Sequence, residues 1–346
     1  MKELRRISRP PCCLIVSLMF FIFICLIFHQ FSSYPNTQSL AVSKPMLLSS
    51  QHDLERKTLL QALRKASMSD RTVILTVVNE TWAKPASILD LFLESFRIGE
   101  GTKRLLNHLL IVAEDSRAFR YCKSKHPHCF QLENLTKKLG KTPPRTQGNL
   151  MFSPSRLILL TQVIGLGYNV AFTVSFQNLF ADSDVMWLRN PLSSLVPRAE
   201  LSVACELYRI DAETFGIKGE GGFFHLRADA RTYEFINTCN LNRVLYHDPQ
   251  HQSLCKILDT GKYIDAIGVD VSYFKEENFC RLCMPCDLNL VHTVQANCCE
   301  NIDSKIHDLK LVLDDWRNFV QLSATASNVS SKRPPLSWRA PERCIA

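Results

Sequence analysis

Two short apolar runs separated by a helical pattern set the first constraint on this chain. Thr72 to Val78 (TVILTVV) is continuous and β-branched, and Leu109 to Ala113 (LLIVA) repeats the type. Between them Ile88, Leu91, Phe92 and Phe96 recur at helical spacing, and Gly99 and Gly101 stop the helix. Ser116 to Lys123 reads as another helix. Strands that are apolar on both faces and alternate with helices belong to a mostly parallel sheet covered on both sides. The pattern predicts an α/β fold. It places helices at Leu54–Met68, Arg156–Ile164 and Asp229–Ile236, and strands near Phe180, at Leu201–Cys205 and at Gly222–Leu226. Leu309, Val312, Leu313, Trp316, Phe319 and Val320 line one face of a closing helix.

The N-terminus predicts topology. Cys12 to Phe28 is apolar except for Ser17, and Lys2, Arg5, Arg6 and Arg9 precede it. At about 1.5 Å per residue this run with its flanks spans a hydrocarbon core of about 30 Å, and the basic flank holds that end in the cytosol. The short span suits early secretory membranes. A cleaved signal peptide is the alternative, although its apolar stretch is usually about 7–15 residues. The expected organisation is a cytosolic tail (1–11), a transmembrane signal anchor (12–31), a Ser-rich stem linker (32–53) and a luminal domain (54–346). The net charge of +8 then belongs partly to the orientation signal and partly to scattered surface pairs. No basic run interleaved with aromatics is present, so nucleic acid is not an expected partner.

Of the 14 cysteines, Cys12, Cys13 and Cys25 fall in the anchor. The odd remainder leaves at least one free or paired between chains. Cys280, Cys283 and Cys286 with Cys298-Cys299 have spacing that suits zinc, but in a lumen disulfides are the stronger expectation. Cys122 and Cys129 read as a local bridge. Asn79, Asn134 and Asn328 open N-x-S/T triplets, with Asn79 close against a buried strand.

The sharpest chemical feature is Asp182-Ser183-Asp184 within LFADSDVMW (179–187). Ligands of open α/β sheets bind outside the carboxyl ends of strands. Two carboxylates there can hold a divalent cation, and the cation can bind a diphosphate that the acids alone would repel. By spacing alone, the pair also fits a solvated turn.

Residues 71–130, 157–191 and 287–344 resemble plant glycosyltransferase family 77, nucleotide-diphospho-sugar transferases. The stretches that carry the resemblance are TVILTVVNETWA (72–83), LDLFLESFRIGEGTKRLL (89–106), LLTQVIGLGYN (159–169), FADSDVMWLRNPL (180–192), QANCCENIDSKIHDLKLVLDDWRN (295–318) and Arg343-Cys344. The resemblance implies a GT-A-like αβα sandwich behind a single transmembrane helix. It implies a single-pass type II Golgi membrane enzyme that uses Mn2+ (or Mg2+) and a UDP-sugar carrying arabinose, xylose or galactose. The acceptor would be a cell-wall polysaccharide or glycoprotein, with retention at the anomeric carbon. Thr76 and Asn79 would line the nucleotide pocket, and Asp115 would accept hydrogen bonds from base or ribose. Asp182 and Asp184 would hold ribose and metal–diphosphate, and His307, just before the closing helix, would complete the metal shell. Gly221 and Gly222 would let a sugar approach the backbone. Asp248 would be the catalytic acid that stabilises positive charge developing on the sugar.

Departures from the family pattern accompany these matches. Val170 to Leu179 intervene before Phe180 where the family has about two residues, by this resemblance. Glu220 replaces the Asn before the glycine pair, and Gln295 stands where the family has His. The family's Asp-Gln pair corresponds either to His251-Gln252 or to Asp248 with Pro249 shifting the register. A family Cys is His292, while Cys283 and Cys286 are additional. A second function therefore stays open: a chain that binds nucleotide or partner without turnover.

Overall fold

A strand buried at all of its positions, as β1 (Thr72–Val78) is, needs cover on both faces, and the chain supplies it with helices. The computed structural model describes residues 45–132, 154–173, 184–209, 215–246, 254–259, 261–296, 298–299, 301–325 and 338–344. The chain divides after His52; of the first unit, the described residues are the opening of helix α1 (Pro45–Ala66). The second unit continues through β1, α2 (Ile88–Ile98), β2 (Leu109–Ala113), α3 (Ser116–Lys125), β3 (Cys129–Gln131), α4 (Pro154–Gly165), β4 (Asn169–Thr173) and β5 (Val185–Trp187). It closes with β6 (Leu201–Arg209), β7 (Phe215–Leu226), α5 (Ala230–Tyr246), α6 (Leu254–Asp259), α7 (Lys262–Ile267), β8 (Val271–Tyr273), β9 (Phe279–Arg281), β10 (Thr293–Gln295) and α8 (Ile302–Thr325).

The main sheet has the order β3-β2-β1-β4-β7-β6-β8. Strand β1 is parallel to β2 and β4, β2 to β3, and β6 to β8; β7 is antiparallel to both its neighbours. Every strand except β7 therefore ends on one edge. Side chains alternate between two cores. Ile74, Val78, Phe92, Ala171 and Trp187 fill one, and Val73, Leu75, Val77, Leu160 and Phe172 the other. A small sheet, β5-β10-β9, borders the first core.

Helix α2 and strand β5 dock on each other, which accounts for the specificity of their motifs. The Trp187 N–H donates to Ser95 Oγ at 3.0 Å, and the Phe96 and Trp187 rings stack at 4.7 Å. Gly99 lies so close that an added Cβ would stand 2.6 Å from the Trp187 carbonyl oxygen. Arg189 Nε then pairs with Glu100 at 2.8 Å. The motifs ESFRIG and DVMW are two halves of one contact.

Among the described residues five disulfides close the chain: Cys122–Cys129, Cys205–Cys255, Cys280–Cys286, Cys283–Cys298 and Cys299–Cys344. Cys239, buried, is the free cysteine among the described residues. The zinc alternative gives way to bridges, and the odd cysteine is accounted for. The terminal Arg343-Cys344 is pinned a second time, because both backbone N–H groups donate to the buried Asp308 carboxylate.

Several expectations shift. Residues 170–173, expected as part of an insertion, are the buried central strand β4, while Phe180 lies outside the described residues. Asp184 leads into β5 rather than trailing a strand. Helix α1 starts at Pro45, within the expected linker, and α8 starts at Ile302, so His307 is inside the helix. The expected anchor, 12–31, lies outside the described residues; among those described, no helix is long and apolar enough to cross a membrane.

Candidate functional site at the carboxyl edge of the sheet

The register Leu75↔Phe172 makes Thr76 and Thr173 neighbours one step on, at the carboxyl ends of β1 and β4. Both are fully buried on the Ile74 and Ala171 face, and neither hydroxyl finds a hydrogen-bond partner among the described residues. An unmatched buried hydroxyl costs about 1–3 kcal/mol, which a bound ligand can recover. Thr173 pairs with Phe223, next to Gly222. Gly222 has φ +57°, and a Cβ there would collide with the Gln295 side chain. Only glycine suits that backbone. Gln295 in turn pairs with Val185, the residue after Asp184. Thr76, Thr173, Gly222, Gln295 and Asp184 thus form one connected path, with Gly221 beside Gly222 on β7.

Asp184 is fully buried, and Lys305 Nζ, equally buried, stands 2.6 Å from its Oδ2. Lys305 also lies 5.2 Å from the centre of the Trp82 ring. The Trp82 N–H donates to the Asn79 carbonyl, so the loop leaving β1 is joined to the pair. His307 goes elsewhere: its Nε2 pairs with Glu342 at 3.0 Å. Two residues along a helix point about 200° apart, so Lys305 and His307 cannot serve the same carboxylate.

Asp115 caps α3: its Oδ1 accepts from the N–H groups of Arg117 and Ala118, and its Oδ2 from that of Glu80. Asn79 Oδ1 accepts from the Thr81 N–H in a tight turn. Both carboxylate oxygens of Asp115 are thereby committed to backbone. Its neighbour Glu114 faces the fully buried Arg156, with Nε and Oε1 3.7 Å apart. Burial pushes the Glu114 carboxyl upward, and Arg156 opposes the shift. Asp182 and Asp248 lie outside the described residues.

Sequence reasoning did not single out Thr173, Arg156 or Lys305. The signal for Lys305 was its place in the first turn of the helix after the Cys298-Cys299 pair; its phase differs from that of His307. The family-implied divalent cation does not fit the described residues. They hold no group of three His, Cys, Asp or Glu side chains suited to a metal, and the one D-x-D carboxylate among them is neutralised by an ammonium.

Comparison with known proteins decides the family. The model of the nucleotide-diphospho-sugar transferase family matches residues 104–309 of the 346. The chain belongs to that family. Two uncharacterized proteins of Arabidopsis thaliana are similar to it along most of its length. One is 32% identical over 301 residues, covering 85% of this chain and 75% of the relative. The other is 33% identical over 282 residues, covering 78% and 79%.

For a nucleotide-diphospho-sugar transferase the matched span has a physical sense. It runs from the residues before β2 to the second turn of α8, and so includes Glu114, Arg156, Asp184, Gln295 and Lys305. Among the described residues, both buried cations in this span face a carboxylate, Lys305 that of Asp184 and Arg156 that of Glu114.

Proposed function

We propose that this glycosyltransferase moves a sugar from a UDP-sugar, bound at the carboxyl ends of β1 and β4, to a glycan or glycoprotein acceptor with retention. The observation that carries the reading is the pair of buried hydroxyls of Thr76 and Thr173, without a hydrogen-bond partner among the described residues, with Asp184–Lys305 beside the neighbouring small sheet. Such hydroxyls donate to nucleotide oxygens and recover the cost of their burial. The Gln295 side chain fills the space that a Cβ on Gly222 would take, so the glycine seats Gln295 against β7. Among the described residues, Arg156 and Lys305 are the cations nearest this edge, each with a carboxylate, Glu114 or Asp184, beside it.

The strand order and the shared carboxyl edge support a GT-A-like architecture within plant family 77. Manganese, expected from the D-x-D pair, has no fitting shell in the described residues, and no step is routed through it. Placement as a type II Golgi membrane protein rests on the apolar run after a basic N-terminus; the five disulfides suit an oxidising lumen.

Calorimetric titration of the full chain with UDP, followed by transfer assays over a panel of UDP-sugars, tests the reading. UDP binding with transfer from one donor is expected. UDP binding without transfer or hydrolysis would favour a chain that binds without turnover, and absence of UDP binding would remove the proposal.

A further inference from the structure

A recess of ≈ 350 Å³ lies beside Ala204 and Cys205 in the middle of β6 and just beyond the carboxyl end of β8, and its lining differs in kind from the donor side. Phe274 and Phe279 are stacked at 4.6 Å and form its apolar wall, with Met284 exposed at the mouth. Glu276, Glu277 and Asp287 bring three carboxylates against the single guanidinium of Arg281. A diphosphate or a uronic acid entering here would meet a net negative wall, so neither is the natural occupant. A neutral sugar meets both needs at once: its C–H face covers the apolar wall and its hydroxyls donate to the carboxylates.

The position is that of a co-substrate. Arg281 pairs with Gln295, and Gln295 with Val185, the residue after Asp184. Two strand spacings, about 10 Å, separate Arg281 from the Asp184 strand. β6 and β8 run with β1 and β4, and Phe172 and Val203 both pair with Phe224, so Ala204 in the recess stands level with Thr173. Two disulfides, Cys205–Cys255 and Cys280–Cys286, contribute sulfur-bearing residues to the lining and hold it in shape.

We infer that this recess binds the acceptor and selects a neutral oligosaccharide; the inference rests on the transferase reading for the identity of its role. In the step it serves, the acceptor hydroxyl oxygen bonds to the anomeric carbon. The bond from that carbon to the diphosphate oxygen breaks, and its electron pair and the hydroxyl proton leave with the nucleoside diphosphate.

Saturation-transfer NMR on the full chain, with neutral galacto-, xylo- and arabino-oligosaccharides, an oligogalacturonate and a lysine-rich peptide, tests the inference. A neutral oligosaccharide is expected to bind, and Glu276→Gln/Glu277→Gln to weaken it about tenfold while UDP affinity stays unchanged. Met284→Trp, at a residue 47% exposed, narrows the mouth without touching the core and is expected to have the same effect. Preference for the oligogalacturonate or the peptide, no binding of any neutral oligosaccharide, or neutral binding indifferent to both variants would overturn it. Loss of UDP binding in the parent chain would instead count against the donor site, and the oligosaccharide result would still decide the chemistry of this recess.

Discussion

Lys305 Nζ lies 2.6 Å from Asp184 Oδ2, with both side chains fully buried. This pair fixes where α8 sits against the entry to β5 and brings a cation to the carboxyl edge. Removing one partner strands a buried charge, which costs about 3–5 kcal/mol. Lys305→Met is expected to lose that much in denaturant unfolding, and Asp184→Asn/Lys305→Met to recover most of it. Equal stability of the single variant and the parent would show that the pair is not formed.

The sheet was legible where burial leaves no choice. Thr72–Val78 and Leu109–Ala113 coincide with β1 and β2 because continuous β-branched or aliphatic runs flanked by helical patterns suit only buried strands. Strand β4 escaped because Val170–Thr173 fall in the stretch that reads as an insertion after Asn169, although the register with β1 makes them central. The three-residue strands β3, β5, β8, β9 and β10 are set by tertiary pairing and carry too little periodicity to read. Cysteine arithmetic gave the odd thiol, but not its identity as Cys239.

In the site, residue types were more readable than roles. Asp115 follows β2 as a ligand-binding acid would, yet a carboxylate one residue before a helix is also an ideal cap, and the cap is what forms. His307 was placed ahead of α8, where phase is undefined; inside the helix, phase sends Lys305 to Asp184 and His307 to Glu342. Thr173 and Arg156 gain meaning only when β4 and α4 bring them to the edge.

Gly99→Ala forces a Cβ to within 2.6 Å of the Trp187 carbonyl and 2.9 Å of the Ser95 carbonyl. Backbone atoms cannot yield as a side-chain tip does. A loss of about 1–3 kcal/mol in denaturant unfolding is expected. No change would show that α2 and β5 are not in this close contact.

Stability is expected to fall with acid. Burial pushes the His225 imidazole down to about 4, with Asp70 opposing the shift and Arg227 adding to it. The folded chain therefore keeps His225 neutral while the unfolded chain takes up a proton near the ordinary value of about 6.5. The stabilisation is full above that value and is lost as pH falls toward 4. For this one group it amounts to on the order of 3 kcal/mol. His225→Gln is expected to flatten the slope of unfolding free energy between those limits; an unaltered slope would contradict the assignment.

Cys239 is expected to be chemically silent in the native chain. Burial raises its thiol to about 12, so little thiolate is present and reagents have no access. Peptide mapping after iodoacetamide treatment should show Cys239 unlabelled in native protein and labelled after denaturation. Labelling in the native state would place it at a surface.

The central claim, that the carboxyl ends of β1 and β4 receive the nucleotide, is tested most directly by titrating UDP into the full chain and into Thr76→Val. Removing an unpartnered buried hydroxyl leaves stability equal or higher, while the lost ligand hydrogen bond weakens UDP about tenfold. That divergence, a Tm at or above the parent's with a weaker Kd, is the predicted result. An unchanged Kd in Thr76→Val would contradict the account.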